Sequence, residues 1–214
     1  MIYLIGGPPK CGKTTLAKKL SKKLNIPWVS SDALQVVVRE YLSKHLPKGA
    51  FNKLFPHTAS RGKTNDETYS RNTPGQITEN YVQQAKATYN AIDAFCSSEL
   101  ADGNNYILEG YHITPGLVAR LIKKYGRKNF SAVFLVKEDQ LKFIKNIQKS
   151  STPNDWILSR TKKQETYEKI GEMVCLYGEY FKKEAKKYRF PVVVMDDSFR
   201  MQLKKAESLL RVQL

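Results

Sequence analysis

The chain has 214 residues, 41% of them hydrophobic, with 12 glycines and 9 prolines, which suits one globular domain and excludes fibrous and disordered classes. No apolar run approaches the roughly 20 residues of a bilayer span, and "MIYLIGG" lacks the basic leader of a secretory signal, so a cytoplasmic protein without a membrane partner is expected. Lys+Arg outnumber Asp+Glu by 36 to 20, a formal charge of +16, but the lysines recur along most helices as solvated faces do, favouring a basic surface around an anionic small-molecule site over a nucleic-acid groove.

The first element is "IYLIG", a short continuous apolar run of the kind buried on both sides of a sheet. A glycine-rich turn follows, then "KTTLAKKLSKKL", with helical spacing of Leu16, Leu20 and Leu24. "IPWVSSD" predicts a second strand, and "ALQVVVREYLSKHL" a helix that Pro47 and Gly49 end. "YILEG" is the third strand. "PGLVARLIKKYG" makes a helix with proline near its start and Gly126 at its end. "SAVFLV" and "PVVVMDD" are strands four and five; between them lie a helix over about 138–147, the polar stretch "QKSSTPNDW" and a long helix over about 160–188.

Strands alternating with helices give βαβ units, hence an α/β fold with a parallel sheet and helices on both faces. Two intervals fall outside this alternation, about 47–76 and about 148–163. Irregular segments longer than about 12–15 residues inside compact domains tend to be functional, and both are read as lids over a bound ligand.

Gly7-Pro8-Pro9-Lys10-Cys11-Gly12-Lys13-Thr14 matches G-x-x-x-x-G-K-[ST], after a buried strand and opening a helix. Glycines let successive backbone N–H groups point into one concavity, and the helix N-terminus adds its positive dipole end. Such a Walker A turn holds a nucleoside triphosphate: Lys13 reaches the β- and γ-phosphates, the Thr14 hydroxyl takes Mg²⁺ and Thr15 bonds the α-phosphate. ATP and Mg²⁺ are therefore the expected cofactors.

In open parallel sheets the active groups come from the carboxyl ends of the strands. Asp32 follows strand two and Glu109 ends strand three, so both are expected in the crevice of Lys13, to orient or deprotonate an acceptor hydroxyl or to hold Mg²⁺ through water. Asp32 also suits a helix N-cap. Asp196 and Asp197 offer a rival metal-binding pair of the kind found in ATP-driven motors, but their loop is placed near the nucleotide base instead. Arg160 is the candidate to neutralise the transferring phosphoryl group. Arg39, Arg61 and Arg71 are candidates to receive an anionic acceptor, and His112 is expected to overhang the crevice. His45 and His57 carry no signal. Cys11, Cys96 and Cys175 show no metal or disulfide spacing and read as reduced thiols; Cys11, near a helix N-terminus, is where a thiol can become more acidic.

"IGGPPKCGKTTLAKKL", "SSDALQVVVREYL" and "ILEGYHITP" together resemble the P-loop small-molecule kinases of the nucleoside monophosphate kinase-like group, and most of all the 2-phosphoglycerate kinase type. The third stretch is the most telling, because that type has a similar apolar strand, Glu-Gly, an aromatic or aliphatic residue, His and then Pro. The resemblance implies a P-loop NTPase fold with a five-stranded parallel sheet of order 2-3-1-4-5. It also implies an acceptor-binding excursion over about 41–80, a lid over about 148–163, and ATP·Mg²⁺-dependent phosphorylation of a small anionic metabolite. "PPKC" departs from the usual loop filling, and Arg160 alone represents the family's arginine-rich lid. Two other functions are weighed: phosphorylation of a nucleic-acid end, suggested by the charge, and a nucleotide-dependent regulatory module whose excursions contact a protein.

Overall fold

Five short apolar runs pair side by side in one parallel sheet of order β2-β3-β1-β4-β5. The computed structural model describes residues 1–56, 62–150 and 155–211. The strands are β1 (Ile2–Gly6), β2 (Trp28–Ser30), β3 (Tyr106–Gly110), β4 (Phe130–Val136) and β5 (Val192–Val194). This is the P-loop order that the resemblance implied. The register sets Ile5 beside Glu109, Gly6 beside Gly110 and Ser30 beside Glu109, so the ends of β1, β2 and β3 lie level at one edge.

Strand side chains alternate between the two faces. Ile2, Leu4, Leu108, Ala132, Phe134 and Val136 pack with α5 (Pro74–Ala101), α6 (Pro115–Tyr125) and α9 (Gln164–Tyr188). Tyr3, Ile5, Ile107, Val133 and Leu135 pack with α1 (Lys13–Leu24) and α10 (Phe199–Arg211) on the other face. Both faces are covered, which is why the central strands read as unbroken apolar runs.

The remaining helices are α2 (Ser31–His45), α3 (Lys48–Leu54), α4 (Asn65–Arg71), α7 (Gln140–Gln148) and α8 (Trp156–Arg160). The helix predicted over about 160–188 is α9, which starts at Gln164, and a separate short helix, α8, precedes it. The Asp155 side chain caps α8 by accepting from the Ile157 amide, and the chain is extended at Thr161 and again at Lys163 before α9 begins at Gln164. The interval about 47–76 is likewise structured, with α3 and α4 in it, and α4 opens on a capping box of Thr64 and Glu67. His57, Arg61 and the residues 151–154 of the second interval lie outside the described residues. Among the described residues no helix is long and apolar enough to cross a membrane.

The core over the α9 face is aromatic: Phe181, fully buried, meets Tyr177, Phe134 and Tyr180 at ring-centroid separations of 4.9–5.8 Å. Phe181→Ala should lower unfolding free energy by about 3–5 kcal/mol in denaturant titrations, with most of the loss due to the cavity left behind.

Candidate active site

The turn from β1 into α1 holds three residues at positive φ, Gly7 (138°), Lys10 (61°) and Gly12 (90°). A Cβ on Gly7 would stand 2.0 Å from the Leu135 carbonyl oxygen, and one on Gly12 would stand 2.8 Å from the Phe199 ring. Only glycine fits at both places. No side chain caps α1 and no acidic residue sits in its first turn, so its leading N–H groups are left for an anion. Lys13 is buried and its ammonium donates to the Pro8 carbonyl at 2.6 Å, held against the loop backbone. Thr14 and Thr15 are exposed at the mouth. A turn of this kind, followed by uncapped helix amides, one ammonium and two hydroxyls, suits a polyphosphate.

Cys11 differs from its expectation. It is fully buried, its thiol donates to the Pro9 carbonyl at 3.6 Å, and burial pushes its pKa up to about 12 despite Lys13 nearby. A helix N-terminus acidifies a thiol only where the thiolate can be solvated or paired.

The two carboxylates meet beside this loop. Glu109 is 3% exposed at the end of β3 and accepts the Thr14 hydroxyl at 3.0 Å. Burial raises its pKa; Lys13 and the Thr14 and Ser30 hydroxyls work against that, and Asp32 adds to it. Asp32 stands in the first turn of α2, where the Ser30 hydroxyl accepts its amide at 3.3 Å, so Ser30 and not Asp32 is the N-cap. The Asp32 side chain keeps 63% of its surface open to the crevice, yet the crowding of the crevice walls raises its pKa, with Lys13 again opposing. The Lys13 ammonium thus acts on both carboxylates. The Thr14 hydroxyl with a carboxylate oxygen 3.0 Å away is an all-oxygen set of the type that hard divalent cations such as Mg²⁺ take.

From Asp32 the α2 face continues through Gln35 to Arg39, which is half-buried. Gln35 and Gln84, the latter from α5, both donate to the Tyr111 hydroxyl, at 2.9 and 2.7 Å. Tyr81 meets Tyr111 edge-on with centroids 5.0 Å apart. A polar and aromatic wall therefore stands beside Asp32. Gln84 and Tyr111 were missed from sequence, since a buried glutamine amid polar neighbours carries no pattern. His112 does not overhang the crevice: its ring is entirely buried behind Ser31.

The two excursions are joined. The Asn65 amide donates to the Trp156 carbonyl (3.2 Å) and to the Thr161 hydroxyl (2.9 Å). Asp66 accepts the Lys162 and Lys163 amides at 2.9 and 3.2 Å. The glycine loop reaches the same segment, because the Lys10 ammonium pairs with Asp155, whose side chain is 2% exposed, at 2.8 Å. Arg160 and Arg71 are exposed at the ends of α8 and α4, neither drawn into the crevice. The Asp196 carboxylate is structural: it accepts the Glu138 and Asp139 amides at 2.8 and 3.1 Å and lies 3.4 Å from the Lys137 ammonium. Asp197 is exposed.

The family model described as AAA domain matches residues 2–168, from β1 into α9. Among solved structures, a gluconokinase from Sinorhizobium meliloti 1021 is similar over 99% of this chain and 91% of that chain, at 13% identity and a TM-score of 0.53. A shikimate kinase from Bacteroides thetaiotaomicron covers 100% and 96%, at 16% identity and a TM-score of 0.43. The first likeness concerns the fold alone, and the second is too loose to argue from. No curated protein matches the chain.

Asp155→Ala removes both the α8 cap and the partner of Lys10. Native-state hydrogen exchange should show opening of residues 155–163 made easier by about 1–3 kcal/mol, with α4 amides following because Asn65 and Asp66 dock there. Unchanged exchange in α4 would show that the two segments open separately.

Proposed function

We propose that this chain, which belongs to the AAA domain family, is an ATP- and Mg²⁺-dependent kinase that phosphorylates a small, anionic metabolite, with 2-phosphoglycerate as the first acceptor to try. The observation that carries the reading is the approach of Asp32 and Glu109 to Lys13 and Thr14 at the strand ends. A nucleotide-binding turn alone leaves the fate of the γ-phosphate open; an exposed carboxylate beside it supplies a place for an acceptor hydroxyl. The fold shared with a gluconokinase suits the same class of reaction.

In this reading the loop amides of Gly7, Lys10, Cys11 and Gly12, together with Lys13, grip the phosphates, with Thr15 at the α-phosphate; Pro8 and Pro9, which have no N–H, shape the turn. The Thr14 hydroxyl would hold Mg²⁺, which would supply neutralisation of charge on the phosphates. Asp32, open to the crevice, takes the proton of the acceptor hydroxyl as its oxygen forms the new bond to the γ-phosphorus and the bond to the β-phosphate oxygen breaks. Glu109, buried and engaged with Thr14, fixes that hydroxyl. Arg39 and Arg71 receive the anionic group of the acceptor, and Arg160 moves with the 148–163 lid to cover the γ-phosphate. Water exclusion by the joined excursions favours transfer over hydrolysis. The charge of +16 favours one rival acceptor, a nucleic-acid end, which would reveal itself as oligonucleotide binding that weakens steeply with salt.

The test is ADP release with magnesium across a panel of phosphorylated and unphosphorylated metabolites. Consumption of ATP should depend on one of them. Lys13→Ala should lower turnover by about 10²–10³-fold, the cost of losing one pre-placed charge partner, with an unchanged circular dichroism spectrum. Glu109→Gln should weaken the magnesium dependence. Full phosphoryl transfer by the Lys13 variant, or ATP consumption indifferent to every acceptor, overturns the assignment.

A further inference from the structure

His112 is the buried group of this site that no step above uses. Its Nδ1 lies 2.8 Å from the Ser31 hydroxyl oxygen and 3.6 Å from Asp32 Oδ1, while its Nε2 is buried with no hydrogen-bond partner among the described residues. The ring lies against Tyr111 with centroids 3.8 Å apart and planes tilted by 32°, and Tyr111 is itself fixed by Gln35 and Gln84. Burial, and after it the Lys13 ammonium, lower the His112 pKa to about 3, so the ring is neutral and carries one proton. An orphaned buried N–H is rarer in proteins than an unused acceptor, which puts that proton on Nδ1. There it faces the first turn of α2. Ser31 is fully buried, and its hydroxyl sits 1.9 Å from where a Cβ on Gly110 would stand, so it occupies the space that the glycine leaves open.

We propose that His112 is a positioning residue, whose Nδ1–H grips the Ser31 hydroxyl and aims the Asp32 carboxylate at the acceptor without touching substrate. This rests on the reading of Asp32 given above. Neutrality matters, because an imidazolium at that distance would pair with Asp32 and occupy the oxygen the acceptor needs. The other groups that act on Asp32 or are acted on by it, Lys13 from α1, Glu109 from β3, Tyr81 from α5 and Tyr111 beside the histidine, set its charge environment.

Three measurements on the full chain decide it. Nitrogen-15 spectra of His112 should show a neutral ring protonated at Nδ1 across the range where the protein is folded; a proton on Nε2 overturns the proposal. The carboxylate carbon resonance of Asp32 should move in His112→Leu and stay near its place in His112→Asn, whose amide nitrogen falls close to Nδ1; equal shifts in both overturn it. With MgATP and 2-phosphoglycerate, His112→Leu should lose about 10²-fold in kcat, as a misplaced reacting group does, with the KM of the acceptor and the Kd of ATP within about threefold. His112→Asn should regain most of that loss, and His112→Gln, which reaches toward Nε2 instead, should not. Loss confined to KM, or equal recovery in the two amides, overturns the proposal. Where the unmodified protein turns over no acceptor, the kinase reading fails by itself, and the two spectra still decide the role of His112; where His112→Leu does not fold, the Asn and Gln variants carry the comparison.

Discussion

Between β1 and α1 the backbone passes so close to the Leu135 carbonyl on one side and the Phe199 ring on the other that no side chain fits at Gly7 or Gly12. That steric constraint decides much else. The turn keeps positive φ at Gly7, Lys10 and Gly12, α1 begins without a side-chain cap, and the Lys13 ammonium folds back over its own loop. Because the three strands β2, β3 and β1 end level, the same turn lies beside Glu109 and the start of α2. The local electrostatics follow: two carboxylates raised by burial, each moderated by one lysine, and a histidine kept neutral by the same burial and the same lysine.

Much of this was legible in the sequence, for a physical reason. Strands covered on both faces are written as continuous apolar runs, and "IYLIG", "YILEG" and "SAVFLV" announce β1, β3 and β4 directly. The glycine turn carries its own pattern, and the strand-end rule locates Asp32 and Glu109. What stayed hidden depends on partners distant in sequence. α5 buries Thr78, Gln84 and Thr88 among its apolar positions, which blurs the helical period, so the longest helix had no signal. The burial of His112 and of Cys11 could not be inferred from their neighbours; removal from water raises the pKa of the thiol and lowers that of the imidazole. Lys10, which departs from the usual loop filling, makes sense only with Asp155 in view, 145 residues away.

The excursions are ordered without a separate domain core. α3 has no buried residue, whereas α8, only five residues long, buries Ile157 and packs Trp156 and Leu158 against the main core. Polar contacts at element ends join α4 to this segment: the capping box of Thr64, the amide of Asn65, the carboxylates of Asp66 and Asp155. Such contacts each contribute on the order of 1 kcal/mol and exchange readily with water.

The docking of Asn65 and Asp66 onto residues 156–163 reaches across 91 to 97 positions of the chain. For anyone grafting a new acceptor preference onto this scaffold, those two stretches form a single heritable block: a chimera that exchanges one and keeps the other would carry mismatched halves of one hinge-side joint, and the mismatch would reach the glycine loop through Lys10.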